Sequence, residues 1–176
     1  MNALPLFSTN AIGTSPVVHV ADRLVLYRPD TVRPKAMGYA VRSDATLLIV
    51  LEQLKTQRPN ESFRGMSQGA MMGIRSKNKA TGERTRAAIE QSGVVTRGRP
   101  CRVELTRVTT GKMDDDGLVG AMKFVRDGVA KALGFDDREM SIGGMVAGKI
   151  PVFYGQRAPG KRGVYAVEIL LQWGAP

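Results

Sequence analysis

Three consecutive aspartates, Asp114, Asp115 and Asp116, precede Lys123 and a second acidic pair, Asp136 and Asp137. Carboxylates at this density repel one another and are tolerated mainly in open solvent or around a cation. Their hard oxygens suit a divalent ion, and a lysine ammonium beside them suits a phosphate. Plainer uses compete with this chemistry. An aspartate at a helix N-terminus accepts backbone N–H bonds and complements the helix dipole. Lys123 and Asp127 are spaced for an i,i+4 ion pair worth about 0.2–0.5 kcal/mol. A calcium loop is excluded. With Gly117 at its sixth position, the first and twelfth would be Lys112 and Lys123, both of the wrong sign.

These side chains need a scaffold. Residues 101–110 (CRVELTRVTT) alternate as a strand does. A helix is expected from about 117 to 133, with Leu118, Met122, Val125 and Val129 as its core stripe. If it is straight, Lys123 falls two turns after Asp116, within about 20° of the same azimuth. Its side chain then leans back toward the aspartates. If the segment before the helix is extended, Asp115 points away from its two neighbours. Such a helix would be roughly 25 Å long and would leave Asp137 at the wrong end. A bend at Gly120, Gly128 or Gly134, a fold-back of the chain, or a second subunit would bring Asp137 to the site.

Elsewhere, residues 1–16 read as a loose tail and 17–28 as one or two strands. Residues 29–42, with Pro29, Pro34 and Gly38, read as a loop. Ser43 and Asp44 can cap a helix to about residue 57 that places Leu47, Leu51 and Leu54 on one face. The aliphatic run from Leu47 to Leu51 also suits a buried strand. Residues 58–66 read as a loop. Residues 67–92 are expected to be helical in part, interrupted by Gly69, Gly73 and Gly82. Strands at 149–157 and 164–173, joined around Pro159 and Gly160, suggest a hairpin. Tyr165, Val167, Ile169, Leu171 and Trp173 share one face of its second arm. The expected fold is a single α+β domain, a mixed β-sheet packed with helices.

Composition narrows the function. A single cysteine, Cys101, and a single histidine, His19, exclude an internal disulfide, a cysteine zinc site and a multi-histidine metal site within one chain. Cys101 as a nucleophile would have only His19 as a base. No P-loop, helix-opening GxGxxG or Ser/His/Asp arrangement is present. No apolar run is long enough to span a bilayer. The first 20 residues hold no Lys or Arg for a secretory n-region. A soluble cytoplasmic protein is expected.

The net charge of +10 points to an anionic partner, most often nucleic acid. Residues 64–112 carry 11 basic and 3 acidic side chains, whereas residues 113–176 carry 8 of each. Arg75, Lys77, Lys79, Arg84, Arg86, Arg97, Arg99, Arg102 and Arg107 are the candidates for phosphate contacts.

The pattern KMDDDGL, then KFVRDGVAKALGFDD, then YGQRAPGKRGVYAVEI resembles the RusA family of Holliday-junction resolvases over roughly residues 99–171. The resemblance places a RusA-like nuclease domain in residues 17–176. It implies a dimeric endonuclease, bacterial or encoded by a phage or prophage. The expected cofactor is Mg²⁺, with Mn²⁺ as a substitute, and no nucleotide cofactor or membrane is involved. The expected substrate is branched DNA, the four-way junction. By the same resemblance, Asp114, Asp116 and Asp137 are the metal ligands, and Lys123 is the catalytic lysine if a short insertion is accepted. Gly117 stands where the family usually has Asn, which leaves open a protein that binds branched DNA with weak cleavage or none.

Overall fold

The computed structural model describes residues 23–29, 33, 35–56, 67–160 and 163–174. The expected tail, the first part of the 17–28 strand, the 58–66 loop and His19 lie outside them. The described residues form one α+β unit, a mixed seven-stranded sheet with three α-helices. In chain order the elements are β1 (Leu24–Tyr27), β2 (Ala36–Arg42), β3 (Thr46–Glu52), α1 (Gln68–Gln91), β4 (Arg102–Val108), α2 (Asp115–Ala121), α3 (Lys123–Leu133), β5 (Met140–Ile142), β6 (Ile150–Arg157) and β7 (Ala166–Gln172). The strand order is β1-β2-β3-β7-β4-β6-β5. β4 and β5 run parallel to β6, and the other pairs are antiparallel.

The core lies between one face of the sheet and the helices. Leu47, Ile49 and Leu51 of β3, Val103 and Leu105 of β4, and Val167, Ile169 and Leu171 of β7 meet Ala88 and Ile89 of α1 and Val125 and Val129 of α3. The alternation read on the last strand is therefore its inward face. Residues 118, 122, 125 and 129 form the expected buried stripe, although it spans two helices. On the opposite face a smaller cluster joins Val50, Val108 and Ala166, with Tyr39 and Leu48 packed against them. No helix among the described residues is long and apolar enough to cross a membrane.

Three expectations are corrected. Residues 43–56 do not form the capped helix; the alternative reading of the aliphatic run as a buried strand holds, since β3 runs through them, flanked by β2 and β7. A strand buried on both faces reads as a continuous apolar run, and Leu47 and Leu51 share a face at either period. Second, the latter half of the 29–42 loop is β2 (Ala36–Arg42). Gly38 marks a strand position with no room for a side chain, because a Cβ there would collide with the Val50 carbonyl. Third, β6 and β7 are both strands but not a hairpin. β4 lies between them, parallel to β6 and antiparallel to β7.

The 67–92 helix is realised as α1, with Ser67 accepting from the Ala70 N–H at its N-cap. Its glycines do not interrupt it. Gly82 sits where α1 crosses α3, beside the Phe124 carbonyl, and Gly128 faces Gly82 and Thr85 from the other side. These two glycines let the helix backbones approach closely.

Candidate active site

Two side chains hold the loop that leads from β4 to the acidic turn. Arg107 is buried, and its guanidinium donates to the Gly111 carbonyl at 2.7 Å and to Thr56 Oγ1 at 3.2 Å. Gln156 on β6 clasps Met113. The Met113 N–H donates to Gln156 Oε1 at 2.9 Å, and Gln156 Nε2 donates to the Met113 carbonyl at 2.6 Å. The backbone just before Asp114 is therefore fixed to the sheet.

Asp114 is the N-cap of α2, in extended conformation, and its Oδ1 accepts from the Gly117 N–H at 3.1 Å. The capping use expected for one of the aspartates belongs to this residue. Asp115 and Asp116 are the first helical residues. The alternation that would turn Asp115 away therefore does not apply, because the segment is not extended there. All three carboxylates are exposed. Among the described residues none has a cationic partner, although the chain carries an excess of ten positive charges.

The helix is not continuous. It is interrupted at Met122 into α2 and α3, which makes Lys123 the first residue of α3. Lys123 Nζ lies 3.3 Å from Asp127 Oδ2, the i,i+4 pair that its spacing allowed. Arg126 sits in the middle of a larger network. Its Nη2 is 3.7 Å from Asp127 Oδ1 and 3.6 Å from Asp137 Oδ2, and its Nη1 donates to the Tyr154 hydroxyl at 3.4 Å. The Arg126 side chain is 11% exposed and that of Lys123 is 52%. Arg126 is thus committed to the protein, while the lysine ammonium still reaches solvent. Burial raises the Tyr154 phenol above its ordinary pKa, and Arg126 offsets this only in part.

Asp137 reaches Arg126 because the chain turns back after α3. Gly134 closes α3 in the left-handed conformation, with φ 75°. A short 3-10 turn, Asp137–Glu139, follows. Asp136 Oδ1 accepts from the Arg138 N–H, and Glu139 Oε1 accepts from the Asp136 N–H, each at 2.9 Å. That bond from the Arg138 backbone is the largest cause holding the Asp136 carboxyl below its ordinary pKa, with Asp137 adding to it. A fold-back within one chain therefore brings Asp137 to the first turn of α3.

The structure links Lys123 with Asp137 through Asp127 and Arg126, but it does not gather the expected ligand set. Among the described residues no three His, Cys, Asp or Glu side chains form a group that could hold a metal ion. The donors still suit magnesium in a looser sense. Magnesium is commonly bound through one or two carboxylates plus substrate phosphates rather than by an all-protein cage. Asp115 and Asp116, both exposed, and the second oxygen of Asp114 offer hard oxygens of that kind.

The basic candidates divide. Arg75, Lys77 and Lys79 are exposed on the first half of α1, with Lys79 3.8 Å from Glu83. Arg84 donates to the Glu52 carbonyl at 3.3 Å. Arg86 pairs with Glu90 at 2.7 Å and Arg102 with Glu104 at 2.8 Å. Arg97 bonds the Ser43 and Asp44 carbonyls, Arg99 bonds Glu139 and the Gly148 carbonyl, and Arg107 is buried. Several of these arginines therefore tie the fold together.

The sequence reading did not single out Gln156, Arg126 or Tyr154. Nothing local marks Gln156, whose partner is 43 residues away. The motif VRDG did hold a signal for Arg126, a cation set beside the paired Asp127. No protein-family model matches the chain, and no curated protein matches it. One solved structure, the crystal structure of the periplasmic domain of MotB (residues 64–256), aligns over 99% of this chain and 91% of its own. The identity is 10% and the TM-score 0.38, a likeness too weak to bear on fold or function.

Proposed function

We propose that this chain is a RusA-type, divalent-metal-dependent endonuclease that hydrolyses phosphodiester bonds in branched DNA and works as a homodimer in the bacterial cytoplasm. One observation carries the reading. In a strongly basic chain, three adjacent, exposed carboxylates have no cationic partner among the described residues and sit on a turn clamped to the sheet by Gln156 and Arg107. That arrangement suits a site that must receive a cation and a phosphate. The fixed loop supports it, because a site on a rigid element wastes little energy on ordering its groups.

Magnesium, when bound by the α2 carboxylates, would polarise the phosphoryl oxygen and acidify a water. Hydrolysis adds that water's oxygen to phosphorus and breaks one P–O bond to deoxyribose. Lys123, half-exposed and steered by Asp127, would stabilise charge on the phosphoryl oxygens. The exposed cations at the start of α1 would hold backbone phosphates at a distance from the cut.

A second reading, a protein that binds branched junctions and cleaves them weakly or not at all, is favoured by the ungathered ligand set and by Gly117 in place of the family's usual Asn. Cleavage of a labelled four-way junction, with magnesium and with chelator, beside an Asp116→Asn control, separates the two. Paired nicks that need magnesium and vanish in the control are expected. Binding without cleavage at any divalent metal would favour the second reading, and neither binding nor cleavage would refute both.

A further inference from the structure

The connection from β5 to β6 presents apolar side chains to solvent. Ile142 is 48% exposed, Met145 74% and Val146 50%. Single exposed apolar residues are ordinary, whereas several on one short loop mark an interaction site. The cause is topological. β5 is an edge strand and runs parallel to β6, with Met140 opposite Ile150 and Ile142 opposite Val152. A parallel pair is usually joined by a crossover of about a dozen or more residues, most often containing a helix. Here residues 143–149 make the whole return, and they hold no helix to shield the apolar side chains.

Gly143 and Gly148 turn the chain at the two ends of the loop, each in the left-handed conformation with φ 75°. Between them the only large side chains are Met145 and Val146. An added Cβ at Gly143, Gly144 or Gly148 would meet nothing within 4 Å, so the loop is a thin blade standing off the sheet edge. Its root is firm. The Gly143 N–H donates to the Val152 carbonyl at 3.4 Å, and the Lys149 N–H to the Val146 carbonyl at 3.0 Å. Arg99 donates to the Gly148 carbonyl at 2.9 Å and pairs with Glu139 at 2.9 Å. Cations frame the blade. Lys149 ends the loop, Arg138 stands on the turn that opens β5, and both are exposed. The acids of that turn are engaged: Asp136 and Glu139 in the capping box, Glu139 also by Arg99, and Asp137 by Arg126. An apolar edge between cations suits a nucleic acid, whose phosphates take the cations and whose base steps take the apolar side chains. Side chains such as Met and Ile enter between base steps in this way. Opening costs least where stacking is already interrupted, as at a branch point.

We propose that the β5–β6 loop is an apolar wedge that inserts Met145 and Val146 between bases at the branch point of the DNA, with Lys149 and Arg138 on the flanking phosphates. The choice of DNA rests on the nuclease reading, which the wedge deepens. It supplies recognition of the branch itself rather than of sequence, and it follows the Asp137–Glu139 turn with only β5 between them.

The test uses the full chain in chelator, mixed with a four-way junction that carries 2-aminopurine at the branch point and, separately, with an unbranched duplex carrying the same base. Binding should raise the fluorescence of the junction, by unstacking the base, and leave that of the duplex unchanged. A Met145→Ser, Val146→Ser pair should abolish the rise and weaken junction binding about tenfold or more, the loss expected when a large apolar side chain is no longer buried. Its duplex affinity and urea midpoint should stay at the parent's, because both side chains are exposed. Met145→Leu, which keeps an apolar body, should retain the rise. A rise that survives the serine pair would refute the wedge, and equal weakening on junction and duplex would refute recognition of the branch. If the pair lowers self-association while the fluorescence rise is unchanged, the loop contacts a second copy of the chain and the proposal is overturned. Junction cleavage with magnesium reports separately. If cleavage is absent while the rise depends on Met145 and Val146, the nuclease reading fails and the wedge stands. If cleavage is present without such a rise, the wedge alone fails. Binding to neither DNA would refute both.

Discussion

Gly128→Ala and Gly73→Ala are the same substitution in two helices, and the structure assigns them opposite signs. In a helix interior, Ala is favoured over Gly by about 0.8–1.0 kcal/mol. At Gly73 an added Cβ meets nothing within 4 Å, so that gain should be kept. At Gly128 the same atom would lie 2.6 Å from the Gly82 carbonyl oxygen and 2.7 Å from Thr85 Cβ. Neither neighbour is the end of a flexible side chain, so α1 and α3 must separate by roughly half an ångström or more, which forfeits about a quarter of the dispersion energy across the contact. Overpacking of this kind costs about 1–3 kcal/mol. Set against the propensity gain, the net loss is about 0–2 kcal/mol, or up to roughly 8 °C in Tm for a chain of this size. Urea denaturation of both variants beside the parent measures the difference. A Gly128→Ala midpoint above the parent's would refute the close crossing of α1 on α3. A midpoint for Gly73→Ala below the parent's would refute the claim that the start of α1 stands in open space.

Gln156→Leu removes both bonds to Met113 and should cost about 1–2 kcal/mol of stability. Because it loosens the loop before Asp114, it should lower kcat on a junction more than it raises KM; equal changes in the two would argue for a merely structural role. Lys123→Gln should leave the unfolding free energy measured in urea within about 0.5 kcal/mol of the parent's, since the lysine of its pair with Asp127 is half-exposed. On the proposed mechanism it should slow cleavage about 10²-fold, and a normal rate would remove Lys123 from the site. The depressed pKa of Asp136 has a definite sign. Its capping bonds favour the ionised form, so their contribution to stability is present above the ordinary aspartate pKa and is lost as pH falls below about 4. Titrating the carboxyl by NMR should show an inflection below the ordinary aspartate value, and an inflection above it would contradict the capping box.

The legible parts of this chain are those governed by neighbours close in sequence. A cap by one of the aspartates and the Lys123–Asp127 pair follow from helix spacing, and the alternation at Val167, Ile169 and Leu171 from the period of two of a strand. Residues 43–57 were ambiguous for a physical reason. Leu47 and Leu51 are four apart and satisfy both periods, so only the flanking β2 and β7 decide for a strand. The hairpin failed similarly, because the insertion of β4 between β6 and β7 is a long-range pairing that no local pattern records. In the site, the Met113–Gln156 clasp and the Arg126–Asp137 contact depend on the assembled sheet and on the turn at Gly134. The charge block was visible, but its division was not. Arg97, Arg99 and Arg107 became internal ties because carbonyls from distant segments stand beside them.

The contact between Arg126 and Asp137 makes the last disputed ligand testable. A carboxylate 3.6 Å from a guanidinium is held by it, and a metal must compete with that cation for the same oxygens. If Asp137 joins the metal, removing Arg126 removes the competitor. Arg126→Gln should then shift the magnesium concentration for half-maximal cleavage downward, whereas Asp137→Asn shifts it upward. If Asp137 serves only to brace Arg126 against Tyr154, both variants disturb the same brace and should shift magnesium dependence alike, or not at all. Arg126 is nearly buried and bonded to three side chains, so a urea midpoint must accompany each titration. Where Arg126→Gln proves too unstable, Arg126→Lys keeps the charge with a single reach and should give the smaller shift. Opposite shifts in folded variants would place Asp137 with the α2 carboxylates at the metal, and parallel shifts would remove it from the ligand set and leave the metal to the acidic turn of α2.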